Sequence, residues 1–544
     1  MKVNRTRFFL YFIVAVVLLY GVIFPNFQLL FSASFNGFSQ NLTTKSTLEA
    51  IVTSLAVSLL TVILSALVGV PLAFLFERYD FPLRRILASF VTLPLALPPL
   101  VGAVAFIFFY GESGILSRFL QNLFGFKQSL WTLKGWIPVL LFHAYTMFPF
   151  FYLLTVAGLR RVDESLSEAS KSLGANNLKT LIRVTLPQLT PSFIAAGLIT
   201  FMTSMASFTA PLLFGGSVNV LTLEIYKARN NGDSEAATVL TIILTAISLL
   251  SLIFFFRYEG TNNFSASGAK GVSRKREKVT SFAVTLIAFS LGLTFALVLL
   301  APILTLIIVS FSVDNSWTTQ ILPPSYTFEN YRKLFVDFDA REPLINSFLM
   351  AGTAAIFALV WSFCVVTVIR GKQNLSKRVV SFLNLIPYSL PGTALAIAIL
   401  RTYGQPNFLT GNFVIVGTFW ILPFAYFLRF MPLVTRSLQA SEEQFDKTLE
   451  TAAASLGANG FTRFRRVRLP LVLPGAIAGT LLAFTIGLGE YVASVLLYTP
   501  RNRPISIAIA EEMRGVNLGT AAAFGVILML IITICLIAAN RLER

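Results

Sequence analysis

The sequence predicts an all-α integral membrane protein with about 12 transmembrane helices in two parallel six-helix repeats. Three observations carry that expectation. Of 544 residues, 55% are hydrophobic and only 12% are charged, whereas a soluble chain carries roughly 25%, so the polar surface needed to clothe a soluble fold of this size is missing. Apolar windows long enough to cross a hydrocarbon core recur along the whole chain. One loop sequence occurs twice, at a constant offset of 283 residues.

The windows run approximately 9–31, 50–76, 86–110, 136–159, 190–214, 236–256, 281–311, 344–369, 379–400, 412–434, 471–497 and 518–539. The first follows Lys2, Arg5 and Arg7, as a signal peptide would. Its apolar stretch exceeds the roughly 7–15 residues of a signal-peptide core, so an uncleaved first helix is expected. With the N-terminus inside, about 30 of the 43 Lys and Arg residues fall on the inner side, which together with the even span count places both termini in the cytoplasm. The net charge of +18 thereby reads as a topology signal rather than a nucleic-acid footprint.

Residues 257–280 differ in kind, with Gly, Ser and Asn followed by Arg274, Lys275, Arg276 and Lys278, and they read as a basic cytoplasmic linker facing anionic lipid. The expected organisation is a first six-span domain at 1–256, the linker at 257–280 and a second six-span domain at 281–544. Cys364 and Cys535 lie in apolar runs, which excludes a disulfide framework and a Cys-rich metal site. The single histidine, His143, also lies in an apolar run and reads as structural.

The repeat matches Val162–Asn176 with Phe445–Asn459 and persists through Val184-x-Leu186-Pro187 and Val467-x-Leu469-Pro470. Weaker echoes pair Pro94 and Pro98 with Pro387 and Pro391, and Ala236-Ala237 with Ala521-Ala522. Six spans per half is an even number, so the halves share one orientation and a pseudo-twofold along the membrane normal relates them. Within each loop, Asp163 or Asp446 stands where a carboxylate caps the start of a helix. Gly174 or Gly457 follows about three turns later, where a chain leaves a helix through a left-handed residue. A second short helix is expected to end near Leu186 or Leu469, with Pro187 or Pro470 marking re-entry toward the membrane. Small residues (Ala169, Ser170 and Ser172; Ala452, Ala453, Ala454 and Ser455) admit a close neighbour, and Arg160, Arg161, Lys171, Lys179 and Arg183, or Arg463, Arg465, Arg466 and Arg468, rim them. The loops either dock a cytoplasmic partner or fold back on the bundle; duplication favours a partner with two sites.

Glu-Ala-Ala, three residues, Gly, nine residues and Ile-x-Leu-Pro is the loop pattern of the permease subunits of binding-protein-dependent ABC importers, which this chain resembles twice. The positions are Glu168, Ala169, Ser170, Gly174, Leu186 and Pro187, then Thr451, Ala452, Ala453, Gly457, Leu469 and Pro470. The departures are Ser170 for Ala, Thr451 for Glu, and Val184 and Val467 for Ile. The resemblance implies two type I ABC permease repeats in which loops 160–190 and 436–470 each hold a coupling helix for one of two copies of a cytoplasmic ABC ATPase. It also implies an extracytoplasmic solute-binding protein, a bacterial inner-membrane location, and a transport subunit that binds no cofactor while ATP is used by the partner. Thr451 in place of Glu implies two inequivalent docking sites. Fused pairs of this kind look most like ferric-iron importers, with thiamine and aminoethylphosphonate permeases similar.

No Gly-x-x-x-x-Gly-Lys-Ser/Thr phosphate loop occurs; Gly371-Lys372 is followed by Gln373, so hydrolysis belongs to another polypeptide. Ionisable groups within a bilayer are costly and mark pathways. Glu490 is the clearest, and the 283 offset sets Ser207 against it; a path or gate role and an internal ion pair with Arg429 are both open. The competing class is a 12-helix ion-coupled secondary transporter, which requires intramembrane acid–base chains that this core supplies sparsely. A membrane scaffold or insertase explains the hydrophobicity but not the repeated loops.

Overall fold

The computed structural model describes residues 5–261, 277–278, 281–371 and 374–542. Lys2, Lys372, Gln373 and most of the basic linker, including Arg274, Lys275 and Arg276, lie outside the described residues.

Among the described residues, ten helices are long and apolar enough to cross a membrane: Phe9–Ser32, Lys45–Arg78, Pro99–Phe124, Trp136–Leu159, Asn177–Met205 and Ser234–Phe254 in the first half, then Phe282–Ser310, Phe338–Ile369, Gly460–Leu488 and Leu518–Leu542 in the second. An eleventh element is a bent pair, Leu375–Ser389 and Gly392–Tyr403, whose axes turn by 107°. The twelfth, Ile421–Gln444, is more polar because it carries Arg429 and Arg436, and it packs between Phe338–Ile369 and the helix Leu469–Leu488.

Five expectations are corrected. The third window, 86–110, is not one helix but Arg84–Phe90, Leu93–Ala96 and Pro99–Tyr110, and the ninth, 379–400, breaks at the matched place. In both halves a leucine precedes the second proline; Leu97 (ψ 128°) and Leu390 (ψ 135°) are driven into extended backbone, so the helix ends there instead of bending. The tenth span is Ile421–Gln444 rather than 412–434, because Gly411, Asn412 and Gly417 adopt positive φ and hold the preceding segment out of helix. The sixth helix continues to Thr261, beyond the predicted linker start at 257. Finally, Pro187 and Pro470 do not end a short helix. Five-residue π turns, Leu181–Thr185 and Phe464–Arg468, stand directly before Leu186-Pro187 and Leu469-Pro470, and the helix runs on into the fifth span of each half. The wider turn shifts the hydrogen-bond register just where proline has no N–H to give.

The halves are interlocked by their first spans. Val14, Leu18 and Val22 of the first span are buried with Met350, Trp361 and Tyr426 of the second half. Reciprocally, Ala288, Ala296 and Leu299 of the seventh span are buried with Phe76, Leu87 and Val101 of the first half. Two tyrosines at matched helix ends fix the exchange. Tyr110 donates to the Val298 carbonyl (3.2 Å) and Tyr403 to the Tyr20 carbonyl (2.6 Å). Both acceptors lack a helical donor for the same reason. Pro302 has no N–H for Val298, and the π turn Leu19–Ile23 sends the Phe24 N–H to Leu19, leaving Tyr20 facing Pro25.

Candidate coupling loops and polar breaks

The repeated loops fold alike. Asp163 accepts from the Ser165 N–H at 3.0 Å to cap Glu164–Ser172, and Asp446 accepts from the Thr448 N–H at 2.9 Å to cap Lys447–Ser455. That bond holds the Asp446 carboxyl below the ordinary carboxylate range. Both helices end at a glycine with φ +82°, Gly174 and Gly457, and in both the residue after the glycine closes the turn: Ala175 N–H donates to Ser170 O and Ala458 N–H to Ala453 O. Asn176 and Asn459 then cap the next helix, each accepting at 2.8 Å. Glu168, Ala169, Thr451 and Ala452 are exposed, as are both glycines and Pro187 and Pro470, whereas Ser170, Ala453, Leu186 and Leu469 are half-buried.

One matched pair escapes sequence reasoning. Leu173 and Leu456, each immediately before the turn glycine, are both 89% exposed. Leu166 and Leu449, and Leu178 and Phe461, are further exposed apolar pairs at the same offset. Each loop thus holds three apolar side chains out at matched positions. The signal in the sequence was a leucine flanked by Ser and Gly on a polar helix.

The loops are held differently. Arg370, at the end of the second half's second span, makes a bidentate pair with Glu450 at 3.0 and 2.7 Å, and Glu442 bridges Arg370 (3.8 Å) and Arg468. Hydrogen bonds from Arg370 hold the Glu450 carboxyl below its ordinary value, and the same contact raises the Arg370 pKa. The first loop has Ser167 where the second has Glu450, so this pair has no counterpart. There Arg160 pairs with Glu77 at 3.0 Å.

Glu490 and Ser207 occupy matched breaks just beyond the fifth span of each half, Leu469–Leu488 and Leu186–Met205. Both breaks are pinned by one device: the Ser207 carbonyl accepts from Thr222 Oγ1 (2.7 Å) and the Glu490 carbonyl from Ser506 Oγ (2.8 Å). Ser54 and Ser347 likewise accept the N–H groups of Leu221 and Ile505, at 2.8 and 2.7 Å. The side chains diverge. Glu490, 6% exposed, pairs with Arg429 (Oε2 to Nε, 3.3 Å) and accepts from the Ala493 N–H (2.9 Å). Ser207 Oγ lies 2.9 Å from His143 Nε2, while His143 Nδ1 lies 3.0 Å from Thr61 Oγ1. His143 is thus a buried histidine with hydroxyl partners on both ring nitrogens. Among the described residues no group of three His, Cys, Asp or Glu is placed to hold a metal.

The fold is thus that of a polytopic membrane protein built from two six-element halves, each carrying one copy of the same exposed loop. The family model of the binding-protein-dependent transport system inner membrane component matches residues 69–259 and 368–544, and the chain belongs to that family. It is 31% identical, over 86% of its length and 82% of the relative, to the probable ABC transporter permease protein y4fN of Sinorhizobium fredii. The ferric transport system permease protein FbpB of Actinobacillus pleuropneumoniae is 26% identical over 86% of this chain and 67% of that protein. The putative 2-aminoethylphosphonate transport system permease protein PhnV of Salmonella paratyphi A is 25% identical over 44% of this chain and 86% of its own length. The chain is therefore a fused, two-domain ABC permease of the inner membrane.

Proposed function

We propose that this chain is the whole membrane path of an ATP-driven importer for ferric iron. Two copies of a cytoplasmic ABC ATPase seat on the loops around Leu173 and Leu456, and an extracytoplasmic binding protein delivers the cargo. Both termini and the basic linker between the domains lie on the ATPase side. The observation that carries the reading is the duplicated loop, identical in backbone and presenting the same exposed leucine twice. ATP binding closes the two ATPases, and a path between the halves turns outward because loaded binding protein and ATP together bind that state better. Ferric iron as cargo rests on the relative FbpB, whose likeness spans both domains. The second cargo reading, 2-aminoethylphosphonate, rests on PhnV, whose likeness spans less than half of this chain.

The test is reconstitution in liposomes of the permease with its co-expressed ATPase and binding protein, following labelled ferric iron and labelled 2-aminoethylphosphonate. The expected result is iron uptake that requires ATP and all three components. Uptake by the permease alone, driven by an ion gradient, contradicts the importer reading, and ATP-driven uptake of the phosphonate alone reassigns the cargo.

A further inference from the structure

The rings of Phe208 and Tyr491 touch, with centroids 6.1 Å apart. These residues follow Ser207 and Glu490, so at the 283 offset they are each other's equivalents in the two halves. A residue that touches its own equivalent lies on the axis relating the halves, here within about 3 Å, half the centroid separation. Any path between the halves follows that axis, so solute has no way past this pair while the rings meet. Both are buried, Phe208 at 1% and Tyr491 at 6% exposure, and Tyr226 packs edge-on to Phe208 at 5.3 Å. A second contact across the halves closes the same level: a Cβ on Gly489 would lie 2.6 Å from Pro98, at the break of the third span.

The level is known from the helices below it. From Leu186 and Leu469, where each helix leaves its loop, 20 residues run to the break, about 30 Å at 1.5 Å per residue, the thickness of the hydrocarbon core. The pair therefore stands at the end of the path remote from the loops. Each ring is fixed to its own half: hydroxyls of Thr222 on Leu221–Asn230 and Ser506 on Ile505–Arg514 pin the break carbonyls next to the rings, so a displacement of one half against the other carries its ring with it.

We infer that Phe208 and Tyr491 are the plug that seals the permeation path on the side away from the ATPases, and that they part when the path opens there. This inference rests on the importer reading above. The experiment replaces Cys364 and Cys535 with alanine, introduces Phe208→Cys with Tyr491→Cys, and treats the complex, with ATPase and binding protein, with a short bifunctional thiol reagent. Cross-linking is expected to stop ATP-driven uptake of labelled ferric iron while ATPase association persists, and reductant is expected to restore uptake. Full uptake by the cross-linked complex, or failure of the pair to cross-link in the nucleotide-free state, overturns the plug. As a second measure, Phe208→Ala with Tyr491→Ala in liposomes without ATPase is expected to raise passive entry of labelled ferric citrate at least tenfold over wild type; an unchanged rate also overturns it. Absence of ATP-driven uptake by the wild-type complex sinks the importer reading itself, a separate outcome.

Discussion

The two halves of the chain repeat one backbone geometry and hold it with different side chains, most plainly at the breaks beyond the fifth spans. The loop helices share caps, a glycine at φ +82° and a π turn, yet the ion pairs beside them differ, Arg370 with Glu450 in the second half and Arg160 with Glu77 in the first. The breaks beyond the fifth spans share their hydroxyl pins, yet one presents Glu490 to Arg429 and the other Ser207 to His143. Duplication preserved what positions each site and let the side chains that tune it diverge. The lesson is that pseudo-symmetry in this molecule is a property of geometry, while the electrostatics belong to single residues.

The largest test of that asymmetry lies in the membrane. Glu490→Ala strands the Arg429 guanidinium, whose Nη1 already has no hydrogen-bond partner, and is expected to cost about 3–5 kcal/mol. Ser207→Ala removes one hydroxyl partner from the buried His143, at about 1–3 kcal/mol. Thermal unfolding of the purified variants in detergent checks the order, and equal losses would show that the two breaks are energetically alike.

Next in size is a change expected to act equally on both loops. Gly174→Val and Gly457→Val force a β-branched residue into left-handed backbone, costing about 1–2 kcal/mol or more each. Each is expected to lower ATPase association to a similar degree, and the double variant to abolish it. If ATPase binding and coupled uptake survive the double change, the loops do not dock the ATPase.

The smallest effect separates the loops again. Glu450→Gln removes a partly exposed ion pair and is expected to weaken the second loop by about 1 kcal/mol. Because Arg370 lowers the folded Glu450 pKa, the pair contributes fully above the unfolded value near pH 4.5 and is lost as pH falls through the lowered one. Wild type should therefore show an acid limb in ATPase association that Glu450→Gln lacks. An identical acid limb in both would mean that this pair does not order the loop.

Much of the architecture was legible in the sequence because apolar length, Asp caps and turn glycines act locally. Asp163, Gly174, Asp446 and Gly457 stand where single-residue stereochemistry requires them. What failed was whatever depends on a neighbour. Leu97-Pro98 and Leu390-Pro391 sit in windows that read as unbroken, because hydropathy does not register a residue forced extended by the proline after it. The π turns before Pro187 and Pro470 are likewise invisible to composition, although they change a predicted helix end into a continuous helix. At the candidate site, Glu450 lies outside the repeated loop pattern, whose acidic position is Thr451, one residue on. Its role depends on Arg370, 80 positions away. Phe208 and Tyr491 carry no signal in the sequence beside Ser207 and Glu490, because an aromatic in an apolar run is uninformative until its partner is known.

The most direct measurement is the number of ATPases held by each permease. Wild-type chain purified with its ATPase is expected to carry two, Leu173→Asp and Leu456→Asp one each, and the double variant none, by mass measurement of the detergent-solubilised complexes. Two ATPases retained on the double variant would contradict the claim that the repeated loops are the docking sites.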